Sequence, residues 1–226
     1  MARLLVTGGA GYIGSHCRLA LGAAGHDVVV MDDLREGRDF LAGDDPLVRC
    51  DIGDREGVAA GFREHGPFDG VLHFAAYLVV PESVADPLKY YRNNVAGTAN
   101  LLTVALENDC KAFVLSSTCA TYGVPPEVPI RETTPQAPIN PYGMSKLMVE
   151  RILADSEVAH GLRWAALRYF NACGADPEGR VGECHQPEIH LIPSALEAAA
   201  GLRPAMKLFG TDYPTPDGTC IRDYIH

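Results

Sequence analysis

The sequence predicts an α/β chain built on a doubly wound parallel sheet, followed by the incomplete start of a smaller second domain. Three observations predict it. Short β-branched apolar runs alternate with longer helical stretches as far as about residue 170. The strand runs are continuously apolar, the pattern of strands covered on both faces. Beyond residue 170 the texture turns to Gly, Pro, Asp and Glu, which reads as loop. The boundary leaves 1–170 as one domain and 171–226 as part of another.

In chain order, strands are expected at Arg3–Thr7, Asp27–Met31, Pro46–Cys50, Gly70–Phe74, Ala112–Ser117 and Arg163–Tyr169. Helices are expected at Tyr12–Ala24, Asp54–His65, Pro87–Asn108 and Pro141–His160. Right-handed crossovers between parallel strands wind such a series in both directions from the first strand. Ligands in these sheets sit at the carboxyl ends of the strands, so the residues just after each strand are the ones to read. Asn171–Pro187 is expected to be loop, with a helix at Leu191–Ala200 and a short strand at Met206–Phe209. The pattern stops in mid-strand at Ile221–His226, which predicts a C-terminally truncated chain that lacks activity as it stands.

Composition narrows the class. Apolar residues make up 47% and charged residues 21% of the 226 residues, ordinary for a globular protein. The net charge of −10 disfavours nucleic acid, which wants a basic stripe. It does not disfavour a phosphorylated ligand, since a few backbone amides can hold a pyrophosphate. The seven cysteines form no Cys-x-x-Cys pair, which reads as reduced thiols in the cytoplasm. No signal sequence and no membrane-spanning run are seen.

The first expected strand runs directly into Thr7-Gly8-Gly9-Ala10-Gly11-Tyr12-Ile13-Gly14, and a helix follows. Gly8 allows the tight turn, Gly11 lets backbone approach a pyrophosphate, and Gly14 lets helix and strand pack closely. The helix N-terminus adds free N–H groups and partial positive charge. A lone glycine-rich turn is weak evidence. Here Asp32 ends the second strand, 18 residues beyond Gly14, close to the ~20 of a dinucleotide site. A carboxylate there accepts the ribose hydroxyls of adenosine and repels a 2′-phosphate, so NAD is expected over NADP. Asp33 reads as a solvated loop residue.

Asn140-Pro141-Tyr142-Gly143-Met144-Ser145-Lys146 opens the last crossover helix, with Asn140 as N-cap and Pro141 at its first position. Tyr142 and Lys146 are four apart and share a face. A bare pair of this kind is usually a solvated helix face. Its place after the hydroxyl cluster Ser116-Ser117-Thr118 gives it chemical weight. Free tyrosine titrates near ~10. Bringing it down by about three units takes about 4 kcal/mol, roughly what one cation ~4 Å away supplies at an effective dielectric of ~20. Lys146 and an oxidised nicotinamide are two such cations. Tyr142 could then take a proton from a carbinol as hydride leaves the same carbon, while Thr118 holds the oxygen in line.

With these residues in place, the chain resembles the extended short-chain dehydrogenase/reductase family, and within it the nucleotide-sugar 4-epimerases. The likeness runs through Val6–His16, His73–Ala76, Glu82-Ser83, Tyr90–Val95, Ser116–Gly123, Pro141–Glu150, Leu167–Asn171 and Asp217–His226. It implies a Rossmann-like NAD-binding domain at 1–170 and a partial UDP-sugar-binding domain at 171–226. For the cofactor it implies Tyr12 and Ile13 in the turn, Asp51 and Ile52 at the adenine, and Phe74, Ala75 and Ala76 along the cleft. Asn93, Ser116 and Phe170 would stand near the nicotinamide, with Tyr142 and Lys146. For the UDP-sugar it implies Thr118, Tyr142, Asn171, His190, Leu191, Phe209 and Arg222. The implied reaction inverts C4 of a UDP-hexose (UDP-glucose or UDP-galactose) through a 4-keto intermediate, with NAD regenerated. A homodimer through the two long helices is also implied.

Some positions depart from the family pattern. Leu78 replaces a frequently polar residue that meets a cofactor phosphate, Thr118 a common serine, and His190 an asparagine. Cys119 and Ala120 stand where dehydratases of this family carry an acidic pair, which disfavours dehydration. UDP-glucuronate or a UDP-pentose remains an alternative substrate, and a non-catalytic NAD-binding fragment an alternative of another class. Cys184, His185 and His190 fit no standard metal spacing, so no metal is expected. His73 is expected to be a packed, hydrogen-bonded residue rather than a base. Tyr90 and Tyr91 are expected to be core or helix surface.

Overall fold

The structure is a computed structural model that describes residues 1–186 and 188–226. Its main sheet has six strands: β1 (Arg3–Thr7), β2 (Asp27–Asp32), β3 (Leu47–Arg49), β4 (Gly70–His73), β5 (Ala112–Thr118) and β6 (Arg163–Tyr169). Their order is β3-β2-β1-β4-β5-β6, every pairing parallel. The predicted doubly wound sheet is therefore present, and the winding reverses between β1 and β4. That reversal opens a crevice at the carboxyl ends of the strands, where ligands bind in such folds.

Side chains along β1 and β2 point to alternate faces, as a strand's period of two requires. Leu5, Val29 and Met31 pack on one face with Phe62, Leu101, Phe113 and Leu153. Val6, Val28 and Val30 pack on the other with Ala10 and Leu21. Burying each of these larger apolar side chains is worth ~1.5–3 kcal/mol, which explains strands apolar on both faces.

Helix α1 (Tyr12–Ala23) starts on Gly11, which offers no side-chain cap. Helix α2 (Arg55–His65) is capped by the Asp54 carboxylate, which accepts from Gly57 N. Helices α3 (Val80–Ala85) and α4 (Pro87–Tyr90) follow β4; α3 was not expected. The single helix expected over Pro87–Asn108 is interrupted. After α4 comes a π-helical stretch at Tyr91–Gly97, then α5 (Thr98–Glu107). The cause lies at Asn94, whose amide exchanges hydrogen bonds with both backbone groups of Tyr77 (2.9 and 3.0 Å) and donates to Ser145 Oγ at 3.1 Å. Such widened turns commonly mark functional sites.

Helix α6 (Pro141–His160) has the expected bounds. Asn140 Oδ1 accepts from Gly143 N at 2.8 Å, and Gly161 closes the helix at φ +69°. Tyr90 is fully buried, and its hydroxyl donates toward Val79 O and Glu82, at 2.7 and 2.8 Å.

His73 is 1% exposed and joins three elements. The Thr98 hydroxyl donates to Asn94 O at 2.7 Å, so His73 Nε2 donates to Thr98 (2.8 Å) and Nδ1 accepts from Thr7 (2.7 Å). That pattern requires the neutral ring. Burial first, and then Lys146, push its pKa down to about 3. The reading of His73 as a packed, hydrogen-bonded residue holds.

In the second region β7 (Asn171–Ala172) pairs in parallel with β8 (Tyr224–Ile225), and α7 spans Leu191–Ala199. Two expectations fail here. Part of the predicted loop pairs as β7, and Met206–Phe209 forms no strand. Among the described residues no strand pairs with Met206–Phe209, and an unpaired short strand is not stable in water. Pro187, the end of the expected loop, lies outside the described residues.

Candidate functional site

A cleft of about 470 Å³ runs along the carboxyl ends of the strands. Gly8, Gly11, Tyr12, Ile13 and Gly14 line its floor. The glycines have separate jobs. Gly8 sits at φ +71°, and an added Cβ would lie 2.5 Å from Ala75 N. A Cβ on Gly14 would lie 2.1 Å from Gly8 O. A Cβ on Gly11 would meet only Gly8 O, at 3.3 Å, and otherwise points into open space. The first turn of α1, without a side-chain cap or an acidic residue, leaves N–H groups able to take an anion.

Asp32, 7% exposed, stands at the end of β2 on the same cleft. Its carboxylate accepts from Leu34 N at 2.9 Å and Ala10 N at 3.1 Å. Burial raises its pKa, and those two amides oppose the rise. The expected wall is also present: Ile52, Phe74, Ala75 and Ala76 line the cleft, as do Asn93, Ser116 and Phe170 toward its other end. Asp51 does not line it. Its carboxylate accepts from Gly53 N (2.7 Å) and from Arg35 (2.6 Å). Arg35 was missed in the sequence. It also meets Asp33 at 3.3 Å and Tyr77 Oη at 3.2 Å, tying three strand-end loops together over the cleft. Asp33, expected to be solvated, is part of that clasp.

At the far end β5 and α6 bring Thr118, Tyr142 and Lys146 to one place on the cleft. Lys146 is 3% exposed, and its ammonium donates to Ser116 O at 2.8 Å. Burial pushes its pKa down to about 8. Tyr142 differs from expectation. Burial raises its pKa, the Thr118 hydroxyl opposes the rise, and Cys119 adds to it. The phenol is therefore protonated at neutral pH.

Asn171, His190 and Leu191 also line the cleft. Phe209 and Arg222 do not. Phe209 is 95% exposed, Arg222 is also exposed, and neither lines the cleft. The missing strand at Met206–Phe209 leaves nothing to carry Phe209 inward.

Reading for metal spacing missed another grouping. Glu183, His185, Glu188 and His190 bring donor atoms within 4.8 Å of one another; Cys184 is not among them. The Glu183 carboxylate lies 3.0 Å from His185 Nδ1 and 2.5 Å from His190 Nδ1. Donors around a tetrahedral zinc would stand about 3.3 Å apart, so these are contacts of a shared carboxylate with two imidazoles. The His190 contact is an ion pair whose angle misses hydrogen-bond geometry. Burial raises the Glu183 pKa, but the two histidines bring it down to about 2. Glu183 in turn raises that of His190.

A parallel sheet with a glycine-lined cleft floor, a carboxylate at the end of β2 and a Tyr–Lys pair on α6 defines a dinucleotide-binding, Rossmann-like class. The chain belongs to the NAD dependent epimerase/dehydratase family, whose profile matches residues 4–226. It is 55% identical over 225 residues to the UDP-glucose 4-epimerase of Azospirillum brasilense, covering 99% of this chain and 64% of that protein. The chain thus spans less than two thirds of that relative's length. Among solved structures it is similar to UDP-glucose 4-epimerase from Brucella ovis in complex with NAD, at 50% identity and a TM-score of 0.95, covering 100% of this chain and 69% of that one. It is also similar to the enzyme from Stenotrophomonas maltophila with bound NAD and formylated UDP-arabinopyranose, at 41% identity and a TM-score of 0.93, covering 100% and 70%. Among the described residues no helix is long and apolar enough to cross a membrane.

Proposed function

We propose that this chain forms the NAD-binding domain (1–170) and part of the UDP-sugar-binding domain (171–226) of a UDP-hexose 4-epimerase. One arrangement carries the reading: a single cleft is lined by Asp32 at the end of β2, by the uncapped start of α1 after β1, and by Thr118, Tyr142 and Lys146 on β5 and α6. The residues fit NAD. Gly11 leaves room for a pyrophosphate, and Asp32 presents a carboxylate to the adenosine ribose. When bound, NAD supplies the hydride acceptor at sugar C4 and a positive charge near Tyr142.

The chain's own residues do the rest. Thr118 holds the C4 oxygen in line with the phenol. Tyr142 moves the proton at that oxygen, outward as the carbinol becomes a ketone and back when C4 is inverted. Lys146 holds positive charge beside the site and orients the ribose. Asn171, His190 and Leu191 fix the uridine diphosphate end. The protein acts as a cytoplasmic homodimer through α4–α5 and α6. The seven free cysteines support the reducing compartment.

The test is to incubate the full-length protein separately with UDP-galactose, UDP-glucuronate and UDP-xylose and to analyse the products. Interconversion of UDP-galactose and UDP-glucose without net NAD reduction supports the reading. Turnover of only one of the other sugars reassigns the substrate. Absence of both bound NAD and conversion defeats it.

A further inference from the structure

Glu150 has no part in the site so far. It stands one turn beyond Lys146, as Lys146 stands one turn beyond Tyr142, so all three lie on one face of α6. It is 3% exposed and is held from three sides. Ser117 Oγ donates to it at 2.5 Å, Gln136 Nε2 at 2.8 Å, and Arg168 through Nε at 3.0 Å and Nη2 at 2.7 Å. A forked guanidinium–carboxylate pair with two further donors is a strong way to fix a buried charge. Lys146 is equally buried, yet its ammonium meets the neutral Ser116 carbonyl. Among the described residues no carboxylate lies within ion-pair distance of it. A buried ammonium without a counter-charge gives up its proton.

We propose that Glu150 is a positioning residue for Lys146: its charge, fixed by Arg168, Ser117 and Gln136, keeps Lys146 an ammonium in a water-poor site. Its role in turnover rests on the epimerase reading; its effect on Lys146 does not. The direction of the shifts agrees. Burial lowers Lys146, and Glu150 opposes that. Burial raises Glu150, but Arg168, Ser117 and Gln136 bring it below the ordinary carboxylate value.

The other groups facing Lys146 do not supply the missing charge. On β4, His73 is neutral, with its pKa at about 3. On β6, the Tyr169 hydroxyl meets Ser116 and is pushed up to about 12 by burial. At the end of β5, burial raises the Cys119 thiol. Tyr142 is protonated, and Arg168 is itself a cation. Among the described residues Glu150 is the negative group left.

The test is competitive acetylation of the full-length protein across pH, with the midpoint of Lys146 reactivity read by mass spectrometry. Glu150→Gln should lower that midpoint by about one unit, a tenfold loss of proton affinity. Glu150→Asp should hold it near the parent value. In the active protein the alkaline limb of the kcat profile should move the same way, with KM little changed. A lower melting temperature in Glu150→Gln with the Lys146 midpoint unmoved would reduce Glu150 to a structural role and overturn the proposal. If Glu150→Gln alone fails to fold, the double variant Glu150→Gln/Arg168→Gln, which leaves no unpaired buried charge, decides it: a lower Lys146 midpoint supports the proposal and an unmoved one overturns it. A protein that shows these shifts but turns over no sugar defeats the epimerase reading and leaves this one standing.

Discussion

Gly14 and Gly8 face each other so closely that a Cβ on Gly14 would stand 2.1 Å from the Gly8 carbonyl oxygen, whereas one on Gly11 would meet that oxygen at 3.3 Å and nothing else. The same turn thus carries one glycine for packing and one for a ligand. Gly14→Ala should destabilise the fold by about 2 kcal/mol or more, a fall in Tm of roughly 4–8 °C for a chain of this size. Gly11→Ala should cost at most about 1 kcal/mol but weaken NAD binding at least ~10-fold, since the methyl enters the space a pyrophosphate needs. Thermal melts and NAD titration of the two variants check both. Equal loss of stability in the pair would contradict this division.

Tyr142 stands beside Thr118 at the end of the cleft opposite Asp32. Tyr142→Phe keeps the ring that packs against Tyr90, with centroids 6.5 Å apart, and removes the proton carrier. The full-length variant should retain NAD and lose C4 inversion by ~10²–10⁴-fold. Turnover close to the parent rate would remove Tyr142 from proton transfer.

The Asp32 carboxylate serves the fold as well as the ligand, since it accepts from Ala10 N and Leu34 N. Asp32→Ala should therefore cost ~1 kcal/mol or more of stability in addition to weakening NAD. Asp32→Asn keeps the shape and removes the charge. It should narrow the preference for NAD over NADP with a smaller stability loss, because the repulsion of a 2′-phosphate is gone. Affinities for the two dinucleotides in both variants give the answer, and an unchanged ratio would refute the ribose assignment.

His73 predicts a pH dependence of stability. Its folded pKa is about 3, against ~6.5 when unfolded. Above ~6.5 both states are neutral and the residue adds no slope. As pH falls from ~6.5 toward 3, the unfolded chain takes up a proton that the folded chain refuses. Stability then drops by up to ~1.4 kcal/mol per pH unit. Denaturant unfolding at pH 7, 6 and 5 should show a steeper loss in the parent than in His73→Gln. Parallel slopes would mean that the ring accepts a proton in place.

Residues close in sequence were the legible ones. The continuous apolar strands, the glycine turn before α1, Asp32 at the end of β2 and the Asn140–Pro141 start of α6 all follow from backbone geometry and side-chain period over a few positions. Those rules placed Tyr142 and Lys146 on one face before any contact was known. They did not reveal the π-helical turn at Tyr91–Gly97, because its cause is the Asn94 amide bonding to Tyr77, 17 residues earlier. Nor could they show that Asp51 is committed to Arg35, or that Glu183 sits between His185 and His190. They placed a strand at Met206–Phe209 that the structure does not form, and Phe209 and Arg222 stand exposed outside the cleft.

Hydrogen-bonding period and steric preference thus settled which segments are strand or helix and which local clusters carry chemistry, since each acts within a turn or two of chain. The folded arrangement alone decided the charge states. Whether Tyr142 is a neutral phenol, and what stands near the Lys146 ammonium, depends on burial and on Ser117, Gln136 and Arg168 meeting Glu150 across separations of 14 to 33 residues. Desolvation and Coulomb energy act through space, and a linear order of residues does not fix which side chains share it.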